Sequence, residues 1–286
     1  MRPRSGSSAK ALLLTALGEF VLPHRGSVWT STVIRSLGAL GVEERNARQA
    51  LARLADQDVV RSHREGRRAS WHLTDAGRAL LTSGTERIYQ FGGGDDAWDG
   101  RWLVVLCSVP EEQRAKRHQL RSQLGFAGFG FLAPGVALSP HLDREALANQ
   151  VLEDLELVPG AVVFRAETGD LASTEALLER AWDLDALASR YEDFLRAFGR
   201  SSPHGEEARF VALTELVHEW RHFPFIDPEI PHPLLPDGWP GRRAKALFDD
   251  RHAAWASDAN RWYEELDGAG TDDLPQGRAI YDNFLT

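Results

Sequence analysis

A chain of 286 residues, 43% hydrophobic and 26% charged, is long enough for two or three folded domains and too apolar for a disordered tail. A single cysteine, Cys107, excludes an intramolecular disulfide and any cysteine-rich zinc module, and it points to a reducing compartment, the cytoplasm. The net charge of -9 argues against a uniformly basic nucleic-acid binder, yet residues 1–90 carry 14 Arg and Lys against 8 Asp and Glu, while the rest carries 19 against 34. A basic N-terminal segment on an acidic remainder is the charge pattern of a nucleic-acid module carried by something else.

Arg2, Arg4 and Lys10 before the apolar run Ala11 to Gly18 imitate a secretion signal, but Glu19 stops that run and no small-residue cleavage site follows. No stretch approaches the ~20 apolar residues that a membrane span requires. The segment is expected instead to form an amphipathic helix from about Ser8 to Val21, with Leu13, Ala16, Leu17 and Phe20 on one face. Pro23 and Gly26 break the chain. After Trp29, the hydroxyls of Thr30, Ser31 and Thr32 offer caps for a second helix carrying Val33, Ile34, Leu37 and Leu40, which Gly41 ends.

Glu43 and Glu44 are placed where carboxylates favour a helix N-terminus, and a third helix is expected to run to about Asp56. Ala47, Ala50, Leu51 and Leu54 share one side, while Arg45, Gln49 and Ala52, flanked by Asn46, Arg48 and Arg53, lie opposite. An exposed face that is short, polar and cationic suits a major groove: Arg grips guanine, Asn or Gln pairs with adenine, and Ala52 leaves room for close approach. Val59 to Arg64, a turn at Glu65 to Arg68, and Ala69 to Leu73 read as a hairpin whose tip carries Arg64, Arg67 and Arg68 within reach of phosphates. Thr74 caps a further helix. Helix, helix, helix, hairpin, helix is the order of a winged helix-turn-helix domain, expected over 1–90, with Thr30, Ser31, Arg45, Asn46, Arg48, Gln49, Arg53, Arg64, Arg67 and Arg68 as its DNA contacts.

After Gly92-Gly-Gly-Asp-Asp96, the apolar strand Trp102 to Cys107 must be covered on both faces. A helix from Glu111 to Leu124, strands at Phe126 to Leu132 and Val136 to Leu138, a helix from Leu142 to Leu155 and a strand at Ala161 to Ala166 follow. That order describes a ferredoxin-like sandwich over 97–172, so the chain is expected to be of the α+β class. From Thr174 the apolar spacing is helical, with a break at Trp182-Asp183 and a stiff proline-rich loop from Phe223 to Pro240. A helical C-terminal domain is expected over 174–286.

The motifs Gly18-Glu-Phe-Val-Leu-Pro23, Asn46-Ala-Arg48-Gln-Ala-Leu-Ala-Arg53-Leu54, Gly66-Arg67-Arg68, Trp98-Asp-Gly-Arg-Trp102, Trp182-Asp-Leu-Asp-Ala-Leu187 and Arg221-His-Phe-Pro-Phe-Ile-Asp-Pro-Glu-Ile-Pro231 occur in this order along nearly the whole chain. In them the chain resembles the PaaX family of bacterial transcriptional regulators. The resemblance implies a winged-helix DNA reader, a Cas2-like ferredoxin-like middle domain and a helical C-terminal domain. It also implies repression of a catabolic operon of the phenylacetate type, relieved by an acyl-CoA or aromatic acid effector. A homodimer on an inverted-repeat operator of double-stranded DNA is the expected complex, with no cofactor and no membrane. Nuclease chemistry is not expected, because Cys107-Ser-Val-Pro110 stands where a cation-holding acid would be needed. Arg101, Arg221 and His222 are the candidate effector contacts, set against the plainer reading that Arg221 pairs with Asp227 and locks the loop.

One competing chemistry is written in His218-Glu219-Trp-Arg-His222, which matches the pattern of a zinc hydrolase: two histidines one turn apart hold the metal and the glutamate activates water. Pro224 ends the helix directly after it and no third ligand is evident, so no metal and no catalytic residue are expected.

Overall fold

The computed structural model describes residues 8–24, 26–66, 68–93, 97–171 and 173–268. Helix α1 (Ala9–Ala16) is capped by Ser8, whose hydroxyl accepts the Ala11 N–H at 3.2 Å, and continues through a π-helical turn, Leu17–Val21. The expected helix is present, but its face is not one-sided: every residue from Thr15 to Pro23 is buried, Glu19 included, because helices at Glu44–Asp56 and Glu206–Trp220 both pack against this segment. A short strand β1 (Ser27–Trp29) leads into α2 (Thr30–Ala39), and α3 (Glu44–Asp56) follows. Strands β2 (Val60–Glu65) and β3 (Arg68–Leu73) pair antiparallel from Val60 opposite Leu73 to Glu65 opposite Arg68. β1 adds to the other side of β3, giving the order β1-β3-β2. Three residues are too few to show a period of two, which is why β1 left no mark in the sequence pattern.

Helix α4 (Asp75–Gln90) starts as expected at Thr74, whose hydroxyl accepts the Gly77 N–H at 2.9 Å and donates to the Asp58 carbonyl. Gly77 is required there: a Cβ would lie 2.0 Å from the Val59 carbonyl oxygen. Thr74→Ala is expected to lower stability by about 1 kcal/mol, read as a shifted urea midpoint with unchanged slope.

The middle stretch has β4 (Arg101–Cys107), α5 (Arg114–Phe126), β5 (Gly130–Ala133), β6 (Val136–Ser139), α6 (Glu145–Asp154) and β7 (Ala161–Glu167). All pairings are antiparallel and the strand order is β5-β6-β4-β7. α5 runs further than expected, so β5 begins at Gly130 rather than at Phe126. Gly130 has a reason of its own, since a Cβ there would lie 2.6 Å from the Trp182 ring. One sheet face presents Leu103, Val105 and Cys107 to Leu120 and Leu124 of α5 and to Ala148, Val151 and Leu152 of α6. The other presents Trp102 and Leu138 to Leu178, Ile230 and Leu234. Burial pushes the Cys107 thiol pKa up, so this lone cysteine packs as an apolar residue.

Beyond it come α7 (Thr174–Ala181), α8 (Leu184–Phe198), α9 (Glu206–Trp220), a one-turn α10 (Phe223–Ile226) inside the proline-rich loop, and α11 (Gly241–Gly268). The helical turn in the loop starts with Pro224 in its first turn, where the missing N–H costs nothing. No helix among the described residues is long and apolar enough to cross a membrane.

By packing, the described residues gather into two compact units: those within 8–91 with Phe194–Arg221 and 245–268, and those within 92–193 with His222–Ala244. The core of the first unit stacks Trp220 on Phe248 at 4.9 Å and Phe20 on Tyr263 at 5.1 Å, joining the first helix to the last.

Candidate nucleic-acid interface

α3 divides its residues cleanly. Ala47, Ala50, Leu51 and Leu54 are at most 2% exposed, and each fully buried leucine contributes about 2 kcal/mol to holding the helix down. Arg45, Asn46, Arg48, Gln49, Ala52 and Arg53 are all exposed. Glu44, Arg45, Arg48, Gln49 and Ala52 line a shallow, open depression along the helix. Arg48 is not idle: its guanidinium meets Glu44 one turn back, Nε to Oε1 at 2.9 Å. Both groups are exposed, so the pair is worth about 0.3–0.5 kcal/mol and yields readily to a stronger anion.

Thr30 and Ser31 lie at the start of α2. Ser31 is exposed. The Thr30 hydroxyl donates to the Ala69 carbonyl at 2.8 Å and accepts the Trp71 indole N–H at 2.9 Å, which ties α2 to β3. The expected hydroxyl caps are therefore not made: Trp29 occupies the capping position, Thr30 serves the hairpin, and the Thr32 hydroxyl donates to Asp267. A hydroxyl near a helix start has several acceptors within reach, and tertiary neighbours took these two.

On the hairpin, Arg64 and Arg68 are exposed, and Arg67 lies outside the described residues. The register places Arg64 opposite Ala69 and Arg68 opposite Glu65, so the two arginines leave the ribbon on opposite faces. Arg61, His63 and His72 share the Arg68 face and are exposed, with Arg61 reaching Asp58 at 3.6 Å and the two imidazoles edge to face at 5.9 Å. These three were not singled out in the sequence, although strand alternation counted outward from the turn places them on the Arg68 face.

The candidate effector contacts are placed separately. Arg101 is exposed and held by Asp99, Nε to Oδ2 at 2.9 Å, and its hydrogen bonds keep the Asp99 carboxyl pKa below the usual range. Arg221 is partly buried just after α9, burial lowers its pKa, and its Nε makes no hydrogen bond among the described residues. His222 is exposed and belongs by packing to the second unit, whereas Arg221 belongs to the first. The plainer reading gives Asp227 to Arg221 as its partner. Asp227 instead accepts the Tyr191 hydroxyl at 2.5 Å and the Glu229 N–H at 2.6 Å, and burial raises its pKa. The loop is locked from the middle stretch, where Arg144 donates to the Ala127 and Pro228 carbonyls at 2.7 and 3.1 Å and His141 lies 2.7 Å from the Glu229 carbonyl.

The zinc motif dissolves in the same way. His218 is 4% exposed and its Nδ1 lies 3.1 Å from the Thr15 hydroxyl, which makes it a core histidine with a polar neighbour. Among the described residues no group of three His, Cys, Asp or Glu side chains could hold a metal ion. Nothing in the fold supports the hydrolase reading.

Three family models match the chain: "PaaX-like protein" over residues 8–77, "PaaX protein central Cas2-like domain" over 95–178 and "PaaX-like protein C-terminal domain" over 182–265. The chain is 29% identical over 291 residues to the transcriptional repressor PaaX of Escherichia coli strain K12, covering 98% of this chain and 89% of that one. Its fold is similar to that of the solved structure of the uncharacterized protein Rv0674 from Mycobacterium tuberculosis, at a TM-score of 0.62 and 21% identity over 90% of this chain and 99% of the other.

Proposed function

The chain belongs to the PaaX family of transcriptional regulators, and on that footing we propose that it is a sequence-specific DNA-binding repressor rather than an enzyme, working in the cytoplasm. Its domains in this reading are a winged helix-turn-helix over 1–90, the Cas2-like domain over 97–172 and a helical domain over 174–286. The observation that carries it is the division of α3, with four buried apolar residues on one side and Arg45, Asn46, Arg48, Gln49 and Arg53 open on the other. In this reading α3 enters the major groove, where Arg45, Asn46, Arg48 and Gln49 meet base edges. Arg53, Ser31, Thr30 and the hairpin residues Arg64, Arg67 and Arg68 meet the backbone. Two copies read an inverted repeat, since a two-fold protein calls for a two-fold site.

Selection of bound duplexes from a random library tests the reading directly. It predicts a recovered palindrome whose half-sites lie about one helical turn apart, and recovery of unrelated sequences would reject it. On the selected duplex, Arg68→Ala is expected to weaken cognate and random DNA alike and to flatten the slope of log affinity against log salt by roughly 0.9 for each phosphate no longer neutralised. An unchanged slope would remove Arg68 from the interface.

A small-molecule effector, an acyl-CoA or an aromatic acid, completes the proposal; Arg101, Arg221 and His222, which fall in different packing units, are each a candidate contact to be tested singly. What supports it is the family membership, together with the partly buried Arg221 and its unused Nε. Titrating phenylacetyl-CoA and free phenylacetate into the protein on its selected duplex, with each of the three residues replaced in turn, separates the two ligand classes.

A further inference from the structure

α2 begins without a cap of its own: Trp29 holds the capping position and no side chain of the segment accepts the free N–H groups of the first turn. One donor at this helix start, the Trp29 N–H, is met from α11. Asp267, in the last turn of α11, takes the Trp29 N–H at 3.3 Å and the Thr32 hydroxyl at 2.8 Å on the same carboxylate oxygen. A carboxylate at this place also meets the positive end of the α2 dipole. Thr32 is 1% exposed, so its hydroxyl has no ready replacement in water.

Neighbouring residues of α11 make the placement firm. Glu264 lies 2.9 Å from the His24 ring, just after the π-helical turn. Tyr263, one turn before Asp267, stacks on Phe20 and Phe210, and its phenol pKa is raised first by burial and then by the Asp267 charge. α2 packs directly on α3, the helix assigned to the groove. Asp267 stands just beyond the stretch 182–265 that the C-terminal family model matches.

We propose that Asp267 is a positioning residue for DNA reading: it acts as the absent cap of α2, and with Glu264 it makes the last turn of α11 a working part of the head that holds α3. The inference rests on the DNA-binding reading above. Its test uses the full chain, the duplex selected by the wild-type protein and a random duplex of equal length.

Asp267→Ala is expected to lower the cognate-to-random affinity ratio about tenfold, and to speed amide hydrogen exchange at residues 30–33 in the DNA-free protein while exchange in α9 stays as it was. Asp267→Asn keeps an acceptor oxygen and drops the charge, so it is expected to recover most of the ratio; this separates the cap from a general change in repulsion between protein and DNA. A ratio and an exchange pattern equal to wild type would overturn the proposal. So would a loss on both duplexes together with faster exchange throughout, which would make Asp267 a residue of overall stability only. A wild-type protein that shows no preference between the duplexes would overturn the DNA-reading role itself, while exchange in α2 still decides the cap.

Discussion

Arg45→Ala is expected to lower affinity for the cognate duplex by about 1–3 kcal/mol and to relax the preference at one base pair while leaving random-sequence binding nearly intact. Arg45 stands in the first turn of α3, the part of a recognition helix that comes nearest the bases, and its side chain is exposed beside Gln49 one turn on. Arg48 offers the same chemistry but begins from an ion pair with Glu44, so Arg48→Ala is expected to cost less. Glu44→Ala should correspondingly raise affinity on all duplexes by removing a negative charge from the face. Titrations of labelled duplexes at two salt concentrations read both quantities. Equal losses from Arg45→Ala on cognate and random DNA would show that this side chain meets phosphate rather than a base edge.

A second large effect is expected among buried side chains. Glu19 is 3% exposed, accepts the Tyr89 hydroxyl at 2.5 Å and lies 2.7 Å from His252 Nε2, while Tyr89 and His252 are themselves 2.9 Å apart. The three side chains come from the π-helical turn after α1, the last turn of α4 and the middle of α11. Glu19→Ala removes the acceptor that the other two share where little water reaches, and is expected to cost about 3 kcal/mol in chemical unfolding. Glu19→Leu combined with His252→Leu is expected to cost less than Glu19→Ala alone, because the polar group facing the missing carboxylate goes with it. If the single and the double variant unfold at the same denaturant concentration, the network is not what holds these helices together.

Much of this molecule was open to reading from its residues. The two faces of α3, the hairpin, the Thr74 cap and the alternation of strands and helices in the middle stretch follow from a period of 3.6 or 2 and from the chemistry of a few turn residues. Those are properties of ten or fifteen consecutive positions, and the neighbours that cover them need only be apolar. The motif order identified the family for a similar reason, since it is a property of the chain and not of its folding.

The surrounding polar contacts were a different matter. Glu19 read as the polar stop of an apolar run, His218 as part of a zinc-like motif set aside for want of a third ligand, Thr32 as a local cap and Asp227 as the plainer partner for Arg221. Each is answered instead by a residue that no spacing rule links to it: His252 for Glu19, Thr15 for His218, Asp267 for Thr32 and Tyr191 for Asp227. Leaving a buried polar group unpaired costs about 1–3 kcal/mol, which favours a partner without saying which one. Local sequence determined where this protein turns, coils and shows its charge. Which distant side chain satisfies each buried donor and acceptor was decided only when the helices packed, because hydrogen bonds act over about 3 Å of space and not along the chain.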